Sequence, residues 1–190
     1  MEMKTIIEEW EDVGLPSPPE VKRVNINPGE TGLLLLDIQT QNCNNERRPR
    51  CVDRLPYLEK LLMMIRTNHI PVFYSITSSA QESDIREEVK PRKEDPIVKS
   101  GVDKFYNTNL EDILRERGVK TLIITGTAAH GAVLHTATAA VLRGFHIIIP
   151  VDGLSAGEPY AEQYTLWHIA HAPGTCRNAT ITRTDWIEVE

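Results

Sequence analysis

Apolar residues along this chain gather in continuous runs rather than alternating with polar ones. Leu33–Leu36 is the clearest case, and the same texture returns in "IPVFYSI" (70–76), "KTLIITG" (120–126) and "HIIIPVDG" (146–153). Continuous apolar strands are buried on both faces, as in parallel sheets covered by helices. Between the runs the period changes. "RLPYLEKLLMMIRTNH" (54–69) puts Leu58, Leu61, Leu62 and Ile65 on one helical face. "NLEDILRERG" (109–118) opens on an Asn cap and stops at Gly118, 130–143 ends at Gly144, and "PYAEQYTLWHIAHA" (159–172) carries a proline in its first helical turn. "PIVKSG" (96–101) and "ATITRTDWIEV" (179–189) read as further strands, and 77–95 as a long polar loop. Strand and helix alternate, so the expected fold is α/β: a doubly wound, mostly parallel sheet of about six strands with helices on both faces, a Rossmann-like three-layer sandwich. Residues 1–30, with Pro16, Pro18, Pro19 and Pro28, read as an extended arm with a short helix over Ile6 to Trp10, ahead of a domain over 31–190.

In such a fold, ligands bind outside the carboxyl ends of the strands. That rule singles out Asp37 and Gln39 after the first domain strand, Ser75 to Ser78 after the second, Lys99 after the third, and 126–132 after the fourth. Asp37 ends a run of leucines, where a carboxylate is costly unless paired or functional. Lys99 closes another apolar strand, so the two are expected to meet as an ion pair. Lys99 would then hold Asp37 ionised or poise it to carry a proton; a purely structural pair capping the sheet is the other reading. "GTAAHG" (126–131) has neither the Lys-Ser/Thr of a phosphate loop nor a dinucleotide fingerprint. Its small residues suit either close packing or backbone N–H groups offered to an anion.

Composition narrows this further. A chain of 190 residues with net charge -6 lacks the basic face that nucleic acid requires. The one basic cluster, Glu46 to Arg50, reads as a solvated loop. Three cysteines, Cys43, Cys51 and Cys176, show no metal-ligand spacing, and Cys43, the thiol nearest the edge in sequence, reads as inert. His130 and His135 are poorly spaced for zinc, and His168 and His171 lack a third ligand. No cofactor or metal is expected. The acidic start without an apolar core and the absence of a membrane-length apolar run lead to the expectation of a cytoplasmic protein with reduced thiols.

"LLLLDIQTQNC" and the segment from "IVKSGVDKFYN" to "IIIPVDG" together resemble the isochorismatase-like hydrolase superfamily over about residues 30 to 185. The resemblance implies an acid at Asp37 with Gln39 completing its motif, and a lysine at Lys99 with Phe105 in register. It also implies a catalytic cysteine at the start of the helix after the fourth strand, where this chain has Ala132. A cis peptide at about Thr127–Ala128 would belong to the oxyanion pocket. With Ala132 there is no sulfur for attack, so thiol-ester chemistry is excluded for this chain as written. Isochorismatases work without that cysteine, protonating a vinyl ether from an aspartic acid, and carry an Ala-His pair like Ala129-His130. This chain departs from them at Gly101, Val102, Ala128 and Asn42, so isochorismate itself is not the expected substrate.

The expectation is therefore a hydrolase of a small molecule with Asp37 as general acid/base and Lys99 as partner. Gln39, Asn42, Phe105, Thr127, Ala128 and His130 would line the substrate pocket. Two alternatives stand beside it: an amidohydrolase inactivated by alanine at 132, and a non-catalytic binding protein on the same fold. The resemblance implies a homodimer or homotetramer, with neither nucleic acid nor membrane as partner.

Overall fold

The computed structural model describes residues 4–190. Nine strands and four α-helices are found among them: β1 (Val24–Ile26), β2 (Thr31–Leu36), α1 (Pro49–Thr67), β3 (Val72–Ile76), β4 (Ile97–Lys99), α2 (Leu110–Glu116), β5 (Thr121–Thr127), α3 (Leu134–Leu142), β6 (His146–Pro150), β7 (Leu154–Ser155), α4 (Pro159–His171), β8 (Ala179–Thr182) and β9 (Ile187–Val189). The main sheet has seven strands, ordered β4-β3-β2-β5-β6-β8 with β7 added beside β5. Every pairing in it is parallel. Because β2 and β5 lie at the centre, both faces of their apolar runs are covered, which is why Leu33–Leu36 and Leu122–Ile124 are fully buried.

Alternation along β2 divides the core in two. Leu33 and Leu35 point to the layer holding Leu55, Leu58, Leu62 and Ile65 of α1. Leu34 and Leu36 point to the layer of Leu110 and Leu114 of α2, Ala137 and Ala140 of α3, and Ile169 of α4. The helices thus sit on both faces, as the periodicity predicts. Strand order reverses at β2 and β5, whose connections run to opposite sides. That junction is the topological switch point at which a crevice forms.

Four expectations about elements need correction. α1 begins at Pro49, earlier than its apolar stripe, because a proline at the first helical position is already shaped for the helix. The single strand expected over 179–189 is two, β8 and β9, separated by a turn at Thr184–Trp186. Residues 6–12 form successive turns instead of a helix; their apolar side chains at Ile6, Ile7 and Trp10 are exposed and gain no packing that would stabilise a short helix. The arm also contains a strand, β1, which pairs in parallel with β9. No helix among the described residues is long and apolar enough to cross a membrane.

Candidate active site

The site is built where β2 stops. Asp37 is in the left-handed region, φ 54°, which non-glycine residues adopt only where their surroundings hold them. Its consequence is directional. Strict alternation after Leu36 would send Asp37 toward the α1 layer, whereas its carboxylate bonds two groups of the other layer. Oδ1 accepts from Ser75 Oγ at 2.8 Å and Oδ2 accepts from Lys104 Nζ at 2.7 Å. The left-handed residue therefore turns the acid across the end of the sheet.

Lys104 corrects the expected pairing. Lys99 is exposed at the end of the short edge strand β4 and lines a surface groove with Ile97, Asn107 and Asp112; it forms no ion pair with Asp37. β4 is separated from β2 by β3, so a residue at its end stands two strand spacings away, about 10 Å. Lys104 comes from the irregular segment that returns over the sheet edge. It is fully buried, and its ammonium also donates to the carbonyls of Ser100, at 3.4 Å, and Gly101, at 2.5 Å. All three of its N–H groups have acceptors, so it acts on Asp37 as a fixed charge. Phe105, expected to touch substrate, lies in the core, stacked on Phe145 at 6.0 Å between centroids. It anchors the segment that delivers Lys104.

Burial raises the Asp37 carboxyl above the usual aspartate range. That desolvation outweighs the opposing pull of Lys104, through its charge and its hydrogen bond, of the Ser75 hydroxyl, and of the more distant Arg48. An acid in this setting can gain or lose a proton closer to neutrality than an exposed one.

Gln39 and Asn42 are buried in the loop beyond Asp37. Gln39 exchanges hydrogen bonds with Thr77, its amide donating to Thr77 Oγ1 at 2.9 Å and its carbonyl accepting the Thr77 N–H at 3.1 Å. This ties the ends of β2 and β3 together. Asn42 receives Arg48. Cys43 is not a lone thiol: it is joined to Cys51 in a disulfide, leaving Cys176 as the free cysteine among the described residues. Cysteine usage therefore no longer argues for a reducing compartment. Nor is Glu46–Arg50 a uniformly solvated run, since Arg48 is half-buried and Arg50 is bonded to Glu162.

On the far side of β2, the end of β5 forms the turn with Ala132. Gly126 is forced: at φ 136° a β-carbon would run into the Leu36 carbonyl oxygen of the neighbouring strand. The Thr127–Ala128 peptide is cis, at the place the resemblance implies. Thr127 is buried and donates to the Ser155 carbonyl at 3.1 Å. The helix does not start as a regular α-helix: Ala129–Val133 is one π-helical turn, in which the Ala128 carbonyl accepts the N–H of both Gly131 and Val133. His130 projects to solvent, and the Ala132 methyl is buried on the same core layer as Phe105 and Leu36. Asp37 and Ala132 thus close adjacent strands of one edge, while Lys99, His130 and Phe105 point elsewhere.

Two further residues stand near Asp37, Lys104 in contact with it and Arg48 acting on it through its charge. Lys104 immediately precedes a core phenylalanine in "VDKFYN", and that adjacency was its one local signal. Arg48 is hidden among neighbouring arginines.

A family model described as the isochorismatase domain matches residues 31–183. An N-carbamoylsarcosine amidase from Arthrobacter sp. is 30% identical over 110 residues, 54% of this chain and 42% of the amidase. The chain thus spans well under half the length of that relative. An isochorismatase family protein of Bacillus subtilis is 32% identical over 129 residues, 60% of this chain and 72% of that protein. Among solved structures, a cysteine hydrolase from Pseudomonas syringae pv. phaseolicola superposes with a TM-score of 0.75 at 22% identity, covering 88% of this chain and 94% of that one. That last likeness carries the fold.

Proposed function

The chain belongs to the isochorismatase domain family of hydrolases, and from that premise we propose that it hydrolyses a small molecule with Asp37 as general acid/base and without a cysteine nucleophile. The observation that carries the reading is the buried Asp37 carboxylate at the strand edge, held by Lys104 at 2.7 Å and Ser75 at 2.8 Å beside a turn that has alanine at 132.

The chemistry follows from what is absent and what is held. An alanine methyl cannot attack, so water supplies the nucleophile. For a carbonyl substrate, ionised Asp37 takes the proton of the adding water and returns it to the leaving group. For an enol ether, protonated Asp37 gives its proton to carbon; water adds to the oxocarbenium ion formed and returns a proton to Asp37, and the resulting hemiketal collapses to the carbonyl product and the free alcohol. Both routes need one carboxyl that visits both protonation states, which its raised pKa favours. Lys104 keeps the ionised form affordable in a site with little water and fixes the carboxyl's orientation. Gln39, tied to Thr77, holds the ends of β2 and β3 together next to the acid.

The test is turnover of ureido acids, amides and vinyl ethers by wild type, Asp37→Asn and Lys104→Ala. Both variants should lose activity about 100-fold or more. Wild-type rates in either one, on a substrate the parent demonstrably turns over, would remove the mechanism. The inactivated amidohydrolase is separated by Ala132→Cys: gain of amide hydrolysis together with alkylation of the new thiol would favour it.

A further inference from the structure

Six arginines are half-buried among the described residues, and five have a carboxylate within ion-pair reach: Arg50 and Arg54 with Glu162, Arg66 with Asp95, Arg86 with Glu88, and Arg143 with Glu111. Arg48 is the exception. Its guanidinium meets only Asn42, one terminal nitrogen donating to the main-chain carbonyl and to Oδ1, both at 3.3 Å. A half-desolvated guanidinium with no carboxylate in contact is costly to maintain, and Asn42, which holds it, is buried in the loop that follows Asp37. Asp37 is already in contact with Lys104, so the positive charge of Arg48 has no carboxylate in contact with it.

We propose that Arg48, braced by Asn42, anchors the anionic group, foremost a carboxylate, of the small molecule on which the Asp37 site acts. The proposal rests on the hydrolase reading above and supplies its substrate class. A guanidinium is a planar fork of donors matching the two oxygens of a carboxylate, and such pairs gain strength where water is scarce. Reciprocal electrostatics agree with the placement. Burial and neighbouring Arg47 lower the Arg48 pKa while Asp37 raises it, and Arg48 in turn is among the groups that lower that of Asp37.

The backbone that carries Arg48 is also built to hold still. Its N–H donates to the Asn44 carbonyl at 2.9 Å, Asn44 Oδ1 takes the N–H groups of Glu46 and Arg47 at 3.1 and 2.8 Å, and Asn44 Nδ2 reaches back to the Thr40 carbonyl at 2.8 Å. The Cys43–Cys51 disulfide brackets the segment. A donor fixed before the ligand arrives loses less freedom on binding.

The experiment is calorimetric titration with two matched pairs, N-carbamoylglycine against its methyl ester and benzoate against benzamide. Wild type should bind at least one acid about tenfold or more tightly than its neutral partner. Arg48→Met should erase that preference, and Arg48→Lys should retain part of it. Asp37→Asn serves as the internal control: it abolishes turnover if the hydrolase reading holds, and it strengthens acid binding by removing a nearby negative charge. Equal affinity for acid and neutral partner in wild type, absence of binding by either acid included, overturns the anchor. So does a preference that survives Arg48→Met in a folded protein. Should Arg48→Met fail to fold, Arg48→Lys and the wild-type comparison decide. Failure of the hydrolase reading shows elsewhere, as turnover persisting in Asp37→Asn.

Discussion

Two buried carboxylates in this protein are both paired with cations, and they are built for different purposes. Glu162 lies in the first turn of α4, in ordinary helical backbone, where a negative charge is welcome. It accepts Arg50 through both oxygens, at 2.7 and 2.5 Å, and the Ala156 N–H at 3.0 Å. Arg50 and Arg54 come from the start of α1, so the cluster joins two helices and a loop, and Arg50 keeps one side in water. Asp37 sits in strained left-handed backbone at the end of a central strand, its partner Lys104 has no contact with water, and its carboxyl is pushed upward by burial. Ion pairing therefore does not mark a site. Asp37 differs in being strained, dry, perturbed and placed at the switch point of the sheet, and on those features the proposed role rests.

Breaking each pair should show the contrast, most strongly at Lys104. Lys104→Met leaves Asp37 buried without its counter-charge. It should cost about 3–5 kcal/mol of stability and reduce turnover by about 100-fold or more, measured by chemical denaturation and by initial rates. The pH dependence has a definite sign. With the folded pKa raised above the ordinary aspartate value of 3.8, the folded state holds the proton more tightly than the unfolded one. The variant's stability is then highest below that value and falls as pH rises through the elevated folded pKa. Stability that instead increases across that interval would refute the account of Asp37.

Glu162→Gln comes next in size. The neutral amide keeps one acceptor for Arg50 and Ala156, and Arg50 can hydrate, so the expected loss is about 1–3 kcal/mol in denaturation with turnover within about twofold of wild type. A large rate loss without a stability loss would mean that the two carboxylates are not functionally distinct.

The same contrast explains what could be read from the residues alone. The sheet was legible because continuous apolar runs such as Leu33–Leu36 and Leu122–Ile124 need cover on both faces, and Asp37 was legible because it ends such a run. Lys99 looked like its partner for the same reason, since it also ends an apolar strand. The strand order decides otherwise: β3 stands between β4 and β2, and order is a long-range property that local pattern does not carry. Lys104 lies in a stretch without periodicity. The Cys43–Cys51 pairing was equally hidden, because three cysteines permit more than one pairing and spacing does not choose among them. β1 and β9 are three residues each and exist only through each other, so neither announces itself.

Ser75 offers a finer probe. Its hydroxyl is one of the groups that lower the Asp37 carboxyl against the effect of burial. Ser75→Ala removes that donor, so the Asp37 pKa should rise further and the corresponding limb of the pH–rate profile should move to higher pH. The stability cost should be about 1 kcal/mol, the scale of one hydrogen bond, and a rate change confined to the pH range of that limb distinguishes a bond to the acid from mere packing. A limb that stays in place, or moves to lower pH, would detach Ser75 from the acid's titration.

Lys99→Ala should do the least, and for that reason it discriminates most cleanly. The two lysines lie five residues apart, one closing β4 and the other just beyond it, and either fits the idea of a cation near Asp37 when only the sequence is considered. In the fold, Lys99 is exposed beside a surface groove, and its ammonium can exchange the protein for water at little cost. Its removal should change stability by less than about 0.5 kcal/mol and leave kcat, KM and the pH–rate profile unaltered, while the neighbouring Lys104→Met fails on all counts. If Lys99→Ala instead matched Lys104→Met in rate, the segment from Ser100 to Asn107 would have to swing and exchange one lysine for the other, and the fixed Asp37–Lys104 pair would cease to support the proposed mechanism.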